Sequence, residues 1–336
     1  MGMLAGVFCL SQSVYADSLS NKDFSLRLPA ALSRFSTFAD VAGVGGASAG
    51  SKWQTSVNPA SMAWQSLEGA YKLSFNPQYS AIIFEQGTVL NVVSESATKD
   101  LGRYGTLQVS LAQVFSNERA NRQEVLFGYD MNYLQLQWGK RLSNDLAVGL
   151  NLNYASSEVS NKLTTMPLAE SSSDTYGFRG GVLYQVVPNL LAGVVIDYAV
   201  SLSSTTYYDI LGLGIGNQII HDRTKQFGLR VGPSYEYAKD STFSLDYSYN
   251  SYLNDTGSLD LHRFHLGVEQ KVWEGLFVRG GYVLDGYGNS SLTSGLGVYP
   301  SKQFSVDLGY QYSMFPEIQP EFGRSHVITV SLSLTL

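Results

Sequence analysis

The stretch from residue 304 to 314, FSVDLGYQYSM, decides the fold of this chain. Its apolar and aromatic side chains occupy alternate positions, and serine, aspartate, glycine and glutamine lie between them. The last segment, ITVSLSLTL at 328–336, alternates in the same way, and so does LAVGLNLNY at 146–154. Because successive side chains of a strand point to opposite faces, each segment predicts a strand with one apolar and one polar face.

The length of these segments favours a membrane barrel over a soluble sandwich. Their apolar faces imply strands of about 10–13 residues, whereas soluble strands most often have about 5–6. About 9–11 tilted residues cross a bilayer. The sequence therefore predicts an all-β, transmembrane, antiparallel β-barrel. Aromatic girdles at both membrane interfaces would include Tyr154, Tyr198, Tyr235, Tyr237 and Tyr312.

Counting such segments back from the end gives twelve strands, and residues 70–96 have room for two more, near 71–75 and 82–93. We therefore predict fourteen strands, with twelve as the alternative. Short turns at one rim and long loops at the other are typical of outer-membrane barrels. The long loops are predicted near 158–173, 204–224, 253–258 and 315–324. The twelve strands lie near 104–116, 124–142, 145–158, 174–187, 190–203, 225–238, 241–252, 259–272, 275–287, 290–299, 302–314 and 324–336.

Two irregularities interrupt the pattern. Between 124 and 142 the apolar positions change from odd to even numbers, which predicts a β-bulge near Tyr133 and Leu134. Gly232 and Pro233 lie inside the strand at 225–238, where proline cannot donate to a ladder. This pair predicts either a kink that opens the wall or a bulge near the rim.

Composition excludes several other classes of protein. The 336 residues carry a net charge of -6, only 15% are charged, and one is cysteine. This is too apolar for a disordered chain, too poor in cysteine for a disulfide scaffold, and too acidic for a nucleic-acid-binding protein. The sequence contains no run of about 18 apolar residues, so it predicts no membrane-spanning helix. The near-zero mean hydropathy of -0.04 is the average of an apolar and a polar face.

The first 16 residues predict a secretory signal peptide. They contain a short apolar run and end in Val14-Tyr15-Ala16, with small residues at the positions that signal peptidase reads. Cleavage there would remove the only cysteine, Cys9. The missing basic n-region indicates that the start of the signal peptide as given is either truncated or misassigned.

Residues 17–68 do not alternate, and we predict that they form a small helical plug inside a barrel made by 69–336. Pro29 is suited to the start of a helix that carries Leu32, Phe35 and Phe38. A glycine-rich stretch at 43–50 follows. Asn58 and Pro59 then predict the N-cap and first position of a second short helix, ending near residue 69.

The segments GGASA at 45–49 and SVNPASM at 56–62 resemble the N-terminal hatch motif of the FadL/TodX family of outer-membrane long-chain fatty-acid transporters. Ser61 stands where that family commonly has glycine. The resemblance implies a fourteen-stranded barrel closed by a hatch, through which hydrophobic compounds cross the outer membrane. Related barrels with this motif serve in protein secretion, so the motif identifies architecture better than cargo. The matching positions are Gly45, Gly46, Ala47, Asn58, Pro59 and Ala60.

The strand phases also predict which charged side chains face the lumen. Their mixed signs favour ion pairs that brace the wall and hold the plug. A substrate carboxylate would bind an arginine, so Arg179, Arg230 and Arg279 are candidate substrate-facing residues, together with His265 and Glu269. The full inward set is Arg179, Asp197, Arg230, Glu236, Asp246, His265, Glu269, Arg279, Asp285 and Asp307.

No catalytic, metal or cofactor motif is evident. His262 and His265 are three residues apart in a strand, so they point to opposite faces and cannot chelate one ion. Patterns such as HExxH, GxSxG or a P-loop are missing. We therefore expect neither an enzyme nor a bound cofactor.

The sequence thus predicts a passive transporter of hydrophobic, fatty-acid-like small molecules in the bacterial outer membrane, with the lipid bilayer and that substrate as its partners. Two alternatives stay open: a structural barrel that assists secretion or complex assembly, and a general porin. Capture of the substrate is predicted at the apolar residues of the 204–224 loop, namely Ile210, Leu211, Leu213, Ile215, Ile219 and Ile220.

Overall fold

A computed structural model of the protein describes residues 24–32, 42–52, 56–64, 73–117, 125–163, 166–209, 216–301 and 303–336. The signal peptide predicted at 1–16, and Phe35, Phe38 and residues 210–215, lie outside these ranges. The described chain forms one antiparallel sheet that closes into a barrel. Its strands are β1 (Leu73–Phe75), β2 (Gln78–Phe84), β3 (Val89–Asp100), β4 (Thr106–Asn117), β5 (Val125–Arg141), β6 (Leu146–Leu163), β7 (Met166–Val187), β8 (Leu190–Tyr207), β9 (Gln218–Ala238), β10 (Ser241–Asn254), β11 (Gly257–Trp273), β12 (Leu276–Asp285), β13 (Ser290–Ser301), β14 (Phe304–Tyr312) and β15 (Ser325–Thr335).

The barrel has fourteen strand positions, as predicted. From β2 onward each strand pairs with the next, and β15 pairs with β2 to close the ring. The short β1 also pairs with β3 and β15, below β2. β1 and β2 therefore share one position, interrupted at Pro77, which has no N–H to donate.

Four sequence predictions about the strands are wrong in detail. Residues 82–93 are not one strand, because a turn at 85–88 divides them between β2 and β3. The predicted loop at 158–173 is mostly strand, because β6 ends at Leu163 and β7 begins at Met166. The predicted loop at 204–224 is strand at both ends, because β8 ends at Tyr207 and β9 begins at Gln218, so Ile219 and Ile220 belong to β9. The predicted loop at 253–258 is a tight turn between Asn254 and Gly257. Polar residues occupy both faces over 170–174, and the few apolar residues of 158–169 do not alternate regularly, so the signal for a strand disappears although the backbone still pairs.

The β-bulge predicted at Tyr133 and Leu134 is also wrong. β5 pairs in constant register with β4 and β6 through this point. Phe127 and Tyr129 face inward and are buried, while Leu134 and Leu136 face outward. The apolar positions change from odd to even numbers because β5 carries apolar side chains on its inner face in its upper part and on its outer face in its lower part.

The outer surface carries an apolar band between two rows of aromatic side chains. On β8, Val194 and Ile196 are exposed while the intervening Val195 is buried. On β7, Tyr184 and Tyr176 belong to opposite rows, eight residues apart. At about 3.3 Å per residue and a tilt of about 40°, their separation along the barrel axis is roughly 20 Å. β5 to β9 continue beyond the upper row, so one side of the barrel is taller.

Short helices cluster at the rim with the longer connections. They are α1 (Phe24–Leu32), the 3-10 helix Pro316–Ile318 and α2 (Gln319–Phe322). α1 begins before the predicted start at Pro29, which lies inside it. Arg27 holds α1 in place by donating to the carbonyl of Glu317 at 2.7 Å and by pairing with Glu321. None of the described helices is long and apolar enough to span a membrane.

The connection between β14 and β15 folds over an apolar cluster inside this rim. Phe315, Ile318 and Phe322 are buried against Phe84 and Phe127 of the wall. The Glu317 carboxylate pairs with the Arg263 guanidinium at 2.5 Å, and both side chains are at most 3% exposed. One side of the rim is thereby filled, and the remaining space lies towards β5–β10.

Candidate functional site

Two pieces of the N-terminal region, 42–52 and 56–64, lie against the inward face of the barrel; together they are called the N-terminal segment here. The segment turns at Gly45 and Gly46, whose φ angles of 65° and 75° favour glycine over residues with a Cβ. Further on, the 3-10 helix Pro59–Ala63 begins with Asn58 as N-cap. The cap and the position of Pro59 are as predicted, although the helix is shorter.

Glycines of the wall allow this segment to approach closely. A Cβ on Gly193 would overlap the carbonyl oxygen of Ala49, and one on Gly281 would lie 2.5 Å from the carbonyl carbon of Val44. Several of these glycines pair across strands, as Gly149 does with Gly181. The seven glycines whose Cβ would crowd the segment form what we call the glycine belt: Gly139, Gly149, Gly181, Gly193, Gly267, Gly281 and Gly295.

Side chains of the wall bind the backbone carbonyls at the start of the segment. His265 Nδ1 lies 2.9 Å from the Gly45 oxygen, and Arg230 donates to the Gly46 oxygen at 2.8 Å. The side chains of Thr293 and Gln311 donate hydrogen bonds to the carbonyl oxygens of Gly43 and Ala42, respectively. Strand phase predicts that His265 and Arg230 face the lumen, as they do. Thr293 and Gln311 are not recognisable in this way, because an uncharged polar residue on a polar face carries no distinctive signal.

Asp246 binds the next part of the segment. Its Oδ2 accepts from the backbone N–H groups of Ser48 and Ala49, at 2.8 Å each. Hydrogen bonds to a charged acceptor are stronger than neutral ones. Arg179 pairs with Asp197 and also donates to the carbonyl of Ser56 at 2.9 Å. Asp246 is fully buried, so its role is to hold the segment rather than to meet a passing molecule.

The Asn-Pro-Ala residues occupy the lower part of the belt. The Asn58 side chain accepts from Ala60 N at 3.0 Å and donates to the carbonyls of Ala49 and Val182, at 2.7 and 3.0 Å. One amide therefore caps a helix, ties two parts of the segment together and attaches them to β7. Pro59 and Ala60 lie directly on Gly149.

Arg279 and Glu269 form a closed cluster away from the remaining space. The guanidinium donates to Glu269 at 2.5 Å, to Asp307 at 2.6 Å and to the Tyr299 hydroxyl at 2.9 Å. Its stem lies against Gly43. With its charge balanced by two carboxylates, Arg279 is placed to brace the wall beneath the segment.

At Gly232 and Pro233 the ladder to β10 is interrupted. β9 and β10 pair at Ser234 with Ser244 and resume at Val231 with Tyr247, in the same register. On the other side, pairing with β8 is continuous. The Asp246 carboxylate and the backbone of Gly50 lie against this point. An opening of the wall here stays a prediction.

A cavity of about 360 Å³ remains between the N-terminal segment and the helices at the rim. Gly45, Gly46 and Ser56 contribute one boundary, and Leu28 and Met314 contribute the other. The upper wall from β3 to β6 contributes apolar side chains, namely Val92, Val114, Tyr129, Met131 and Val159, with Gln135, Asn153 and Ser157 among them. All the charged side chains of the lining come from β7 to β11, where they lie beside apolar residues such as Val195 and Leu229: Arg179, Asp197, Arg230, Arg263 and His265.

The candidate residues thus divide into two groups. Arg179, Arg230 and His265 line the cavity and also bind the segment, whereas Arg279 and Glu269 lie outside its lining. His262 faces outward, where its ring meets the Tyr247 hydroxyl at 2.7 Å. Within the described ranges, no group of three or more His, Cys, Asp or Glu residues is arranged to hold a metal ion.

The same fold occurs in solved structures of other proteins. No family model and no curated protein sequence matches the chain. Among solved structures it is similar to the toluene transporter TbuX of Ralstonia pickettii, with a TM-score of 0.59 and 13% identity over 90% of this chain and 98% of TbuX. It is also similar to the monoaromatic hydrocarbon channel CymD (TM-score 0.58, 15% identity, 88% and 96% covered).

A FadL homologue of Pseudomonas aeruginosa has the same architecture, with a TM-score of 0.56 and 11% identity over 88% of this chain and 97% of the homologue. At such identities the likeness shows the fold. The resemblance to the FadL/TodX family that residues 45–62 carry is confirmed at that level. The chain therefore has the fold of the FadL-type barrels.

Proposed function

We propose that the protein is a passive transporter in a bacterial outer membrane, which admits small hydrophobic molecules past an N-terminal hatch. The observation that carries this proposal is the cavity, which lies between the N-terminal segment and the rim helices and carries a group of apolar side chains on β3–β6. Pockets of about 300–1,000 Å³ with mainly apolar walls and a few polar groups are typical of small-molecule sites.

The outer surface supports a position in the membrane. A closed barrel satisfies the backbone hydrogen bonds of all its strands, which lipid requires. An apolar band between aromatic rows matches the belt of outer-membrane barrels, which is about 25 Å tall. The polar extensions of β6 and β7 above the upper row would then stand outside the bilayer.

The N-terminal segment has the contacts expected of a hatch. Seven glycines seat its backbone, and Asp246, Arg230 and His265 hydrogen-bond to its N–H and C=O groups. Such a seat obstructs the lumen for ions and water. We infer that passage requires a local shift of the segment, whereas a general porin would have a continuous aqueous channel.

Reconstitution tests this function directly. Lipid vesicles containing the purified protein should take up a neutral apolar dye faster than empty vesicles, while planar bilayers with the same protein should show no steady large conductance. A control barrel of known wide pore verifies insertion. A large constant ion current, or dye uptake equal to that of empty vesicles, would contradict the proposal.

A further inference from the structure

β9 carries two cations on the outer surface of the barrel, directly above the upper aromatic row. Its odd-numbered side chains face outward, as the exposed Phe227 does, whereas Gln226 and Arg230 line the cavity. Lys225 and Arg223 continue the outward face towards the rim with the long connections, and both are exposed. At about 3.3 Å per residue and a tilt of about 40°, they stand roughly 5 and 10 Å above Phe227. A headgroup layer of roughly 5–8 Å on each side of the hydrocarbon brings both side chains within reach of lipid headgroups.

Both positive charges lack an opposing partner among the described residues. In those ranges no carboxylate oxygen lies within 4 Å of Lys225 Nζ or of the Arg223 guanidinium. Asp222 precedes Arg223 but belongs to the inward-facing positions, and an amide of β10 donates to its carboxylate at 2.9 Å. The two cations are therefore available to an anion that approaches from the membrane.

The outward carboxylates on the neighbouring strands are engaged elsewhere or lie beyond the strand ends. Asp174 of β7 accepts from the Tyr154 hydroxyl at 2.7 Å, and Asp260 of β11 accepts from the Tyr249 hydroxyl at 3.0 Å. Each of these aspartates lies two strands away from β9. Asp255 is exposed in the turn that follows β10. The surface around the two cations thus keeps its local positive charge.

Apolar side chains flank the two cations on both neighbouring strands. Leu202 of β8 is in register with Arg223, while Val200 of β8 and Leu253 of β10 are in register with Lys225. Leu202 and Leu253 are each 50% exposed. On β6 and β7 the outward positions immediately above the aromatic row are polar. Apolar surface therefore rises above the row beside the cations, which suits a ligand that is both anionic and apolar.

We propose that this surface of β8–β10 binds a phosphorylated lipid of the outer leaflet, with its phosphate on Arg223 and Lys225 and its apolar part along Val200, Leu202 and Leu253. Arginine binds phosphate through two parallel N–H groups, and lysine adds a point charge. Two cations match a phosphate monoester, which carries a charge of about -1.5 to -2. The inference rests on the proposed membrane position, in which the rim with the long connections faces outward.

Binding of two matched lipids tests the proposal. Native mass spectrometry of the protein in uncharged detergent measures affinity for dioleoyl phosphatidic acid and for dioleoylglycerol, which share one apolar body. The wild type should bind the phosphate lipid more tightly. The double variant Arg223→Gln/Lys225→Gln should weaken it about 30-fold, since each cation near an anionic surface contributes about fivefold, and should leave dioleoylglycerol within about threefold.

A charge-matched control separates a site from general attraction. Lys99→Gln/Lys239→Gln removes two exposed cations at the opposite rim and should change neither affinity. Arg223→Lys/Lys225→Arg keeps both charges and should bind the phosphate lipid within about fivefold of the wild type. Equal losses in the two glutamine variants, or equal affinity of the wild type for both lipids, would overturn the proposal.

A soluble phosphate distinguishes a lipid site from a site for free anions. Glycerol 3-phosphate has the same headgroup without acyl chains, so it should displace phosphatidic acid at least a hundredfold less effectively than a second phosphate lipid does. Displacement at equal concentrations would refute the apolar part of the site.

Dye uptake separates this inference from transport. In vesicles of uncharged lipid, Arg223→Gln/Lys225→Gln should take up the neutral dye as fast as the wild type, because the site lies outside the lumen. Dye uptake without preference for the phosphate lipid would refute the lipid site alone. Preference for the phosphate lipid without dye uptake would support the lipid site and contradict transport.

Discussion

Adding one methyl group to the glycine belt should release the N-terminal segment. In Gly181→Ala the new Cβ would overlap Asn58 Oδ1 and lie 2.8 Å from Pro59 Cδ. The neighbouring Gly180 faces outward, and no described atom lies within 4 Å of a Cβ built there. Gly180→Ala is therefore a matched control, since both changes restrict the unfolded chain equally.

The expected size of the effect follows from the contacts of Asn58. Its side chain makes three hydrogen bonds, to Ala60 N and to the carbonyls of Ala49 and Val182. Each contributes about 0.5–1.5 kcal/mol net, and overpacking costs about 1–3 kcal/mol. If Gly181→Ala disfavours the seated segment by about 2–3 kcal/mol, the released population rises roughly 30- to 150-fold.

Two measurements report this release. The frequency of open events in planar bilayers should rise in Gly181→Ala and stay at the wild-type level in Gly180→Ala. Proteolysis within residues 42–64 should accelerate in the same order, while heat-resistant migration of the barrel on gels stays the same. Gly281→Ala and Gly280→Ala form a second pair on β12. If the two variants of each pair behave alike, the position of the N-terminal segment does not depend on the absence of side chains at Gly181 and Gly281, and the reasoning is refuted.

Three further changes test other parts of the structure. Asp246→Ala should also speed proteolysis of the segment, because two backbone N–H groups lose a charged acceptor, each bond being worth about 1.5–3 kcal/mol; Asp246→Asn, which keeps an acceptor oxygen, should retain most of the protection. Glu317→Ala should lower the free energy of unfolding in urea by about 3–5 kcal/mol, because it leaves the Arg263 charge buried and unpaired; an unchanged midpoint would contradict this ion pair. Val194→Arg should weaken folding into lipid vesicles by about 2–4 kcal/mol, and Ser172→Arg, above the upper aromatic row, by about 0–1 kcal/mol; equal effects would contradict the proposed membrane position.

The family resemblance and the barrel were both readable from the sequence because each depends on local chemistry. Alternation at 304–314 and 328–336 fixes which face of a strand is apolar without knowledge of any partner strand. The Asn58 cap and Pro59 at the first helical position likewise follow from neighbouring backbone groups. These features survive in any tertiary context, so the predicted fourteen strands agree with the closed sheet.

The interior was less predictable because inward positions are defined by what lies across the lumen. Phe127 and Tyr129 broke the alternation and suggested a bulge, whereas they line an apolar interior under the rim helices. Arg179, Arg230 and Arg279 were equivalent in sequence, and only their partners separate them. Arg279 meets two carboxylates, whereas Arg230 meets the carbonyl of Gly46.

By itself the sequence determined the barrel, its two faces and the motif that begins the segment, since period-two patterning and helix capping act between near neighbours. Only the tertiary structure decided that glycines from seven strands contact the backbone of the N-terminal segment. Those glycines lie far apart in sequence, and a glycine by itself does not indicate which atoms will occupy the space that a side chain would fill. The cavity was decided in the same way: its apolar and charged walls come from different strands, and closing the sheet is what brings them to face each other.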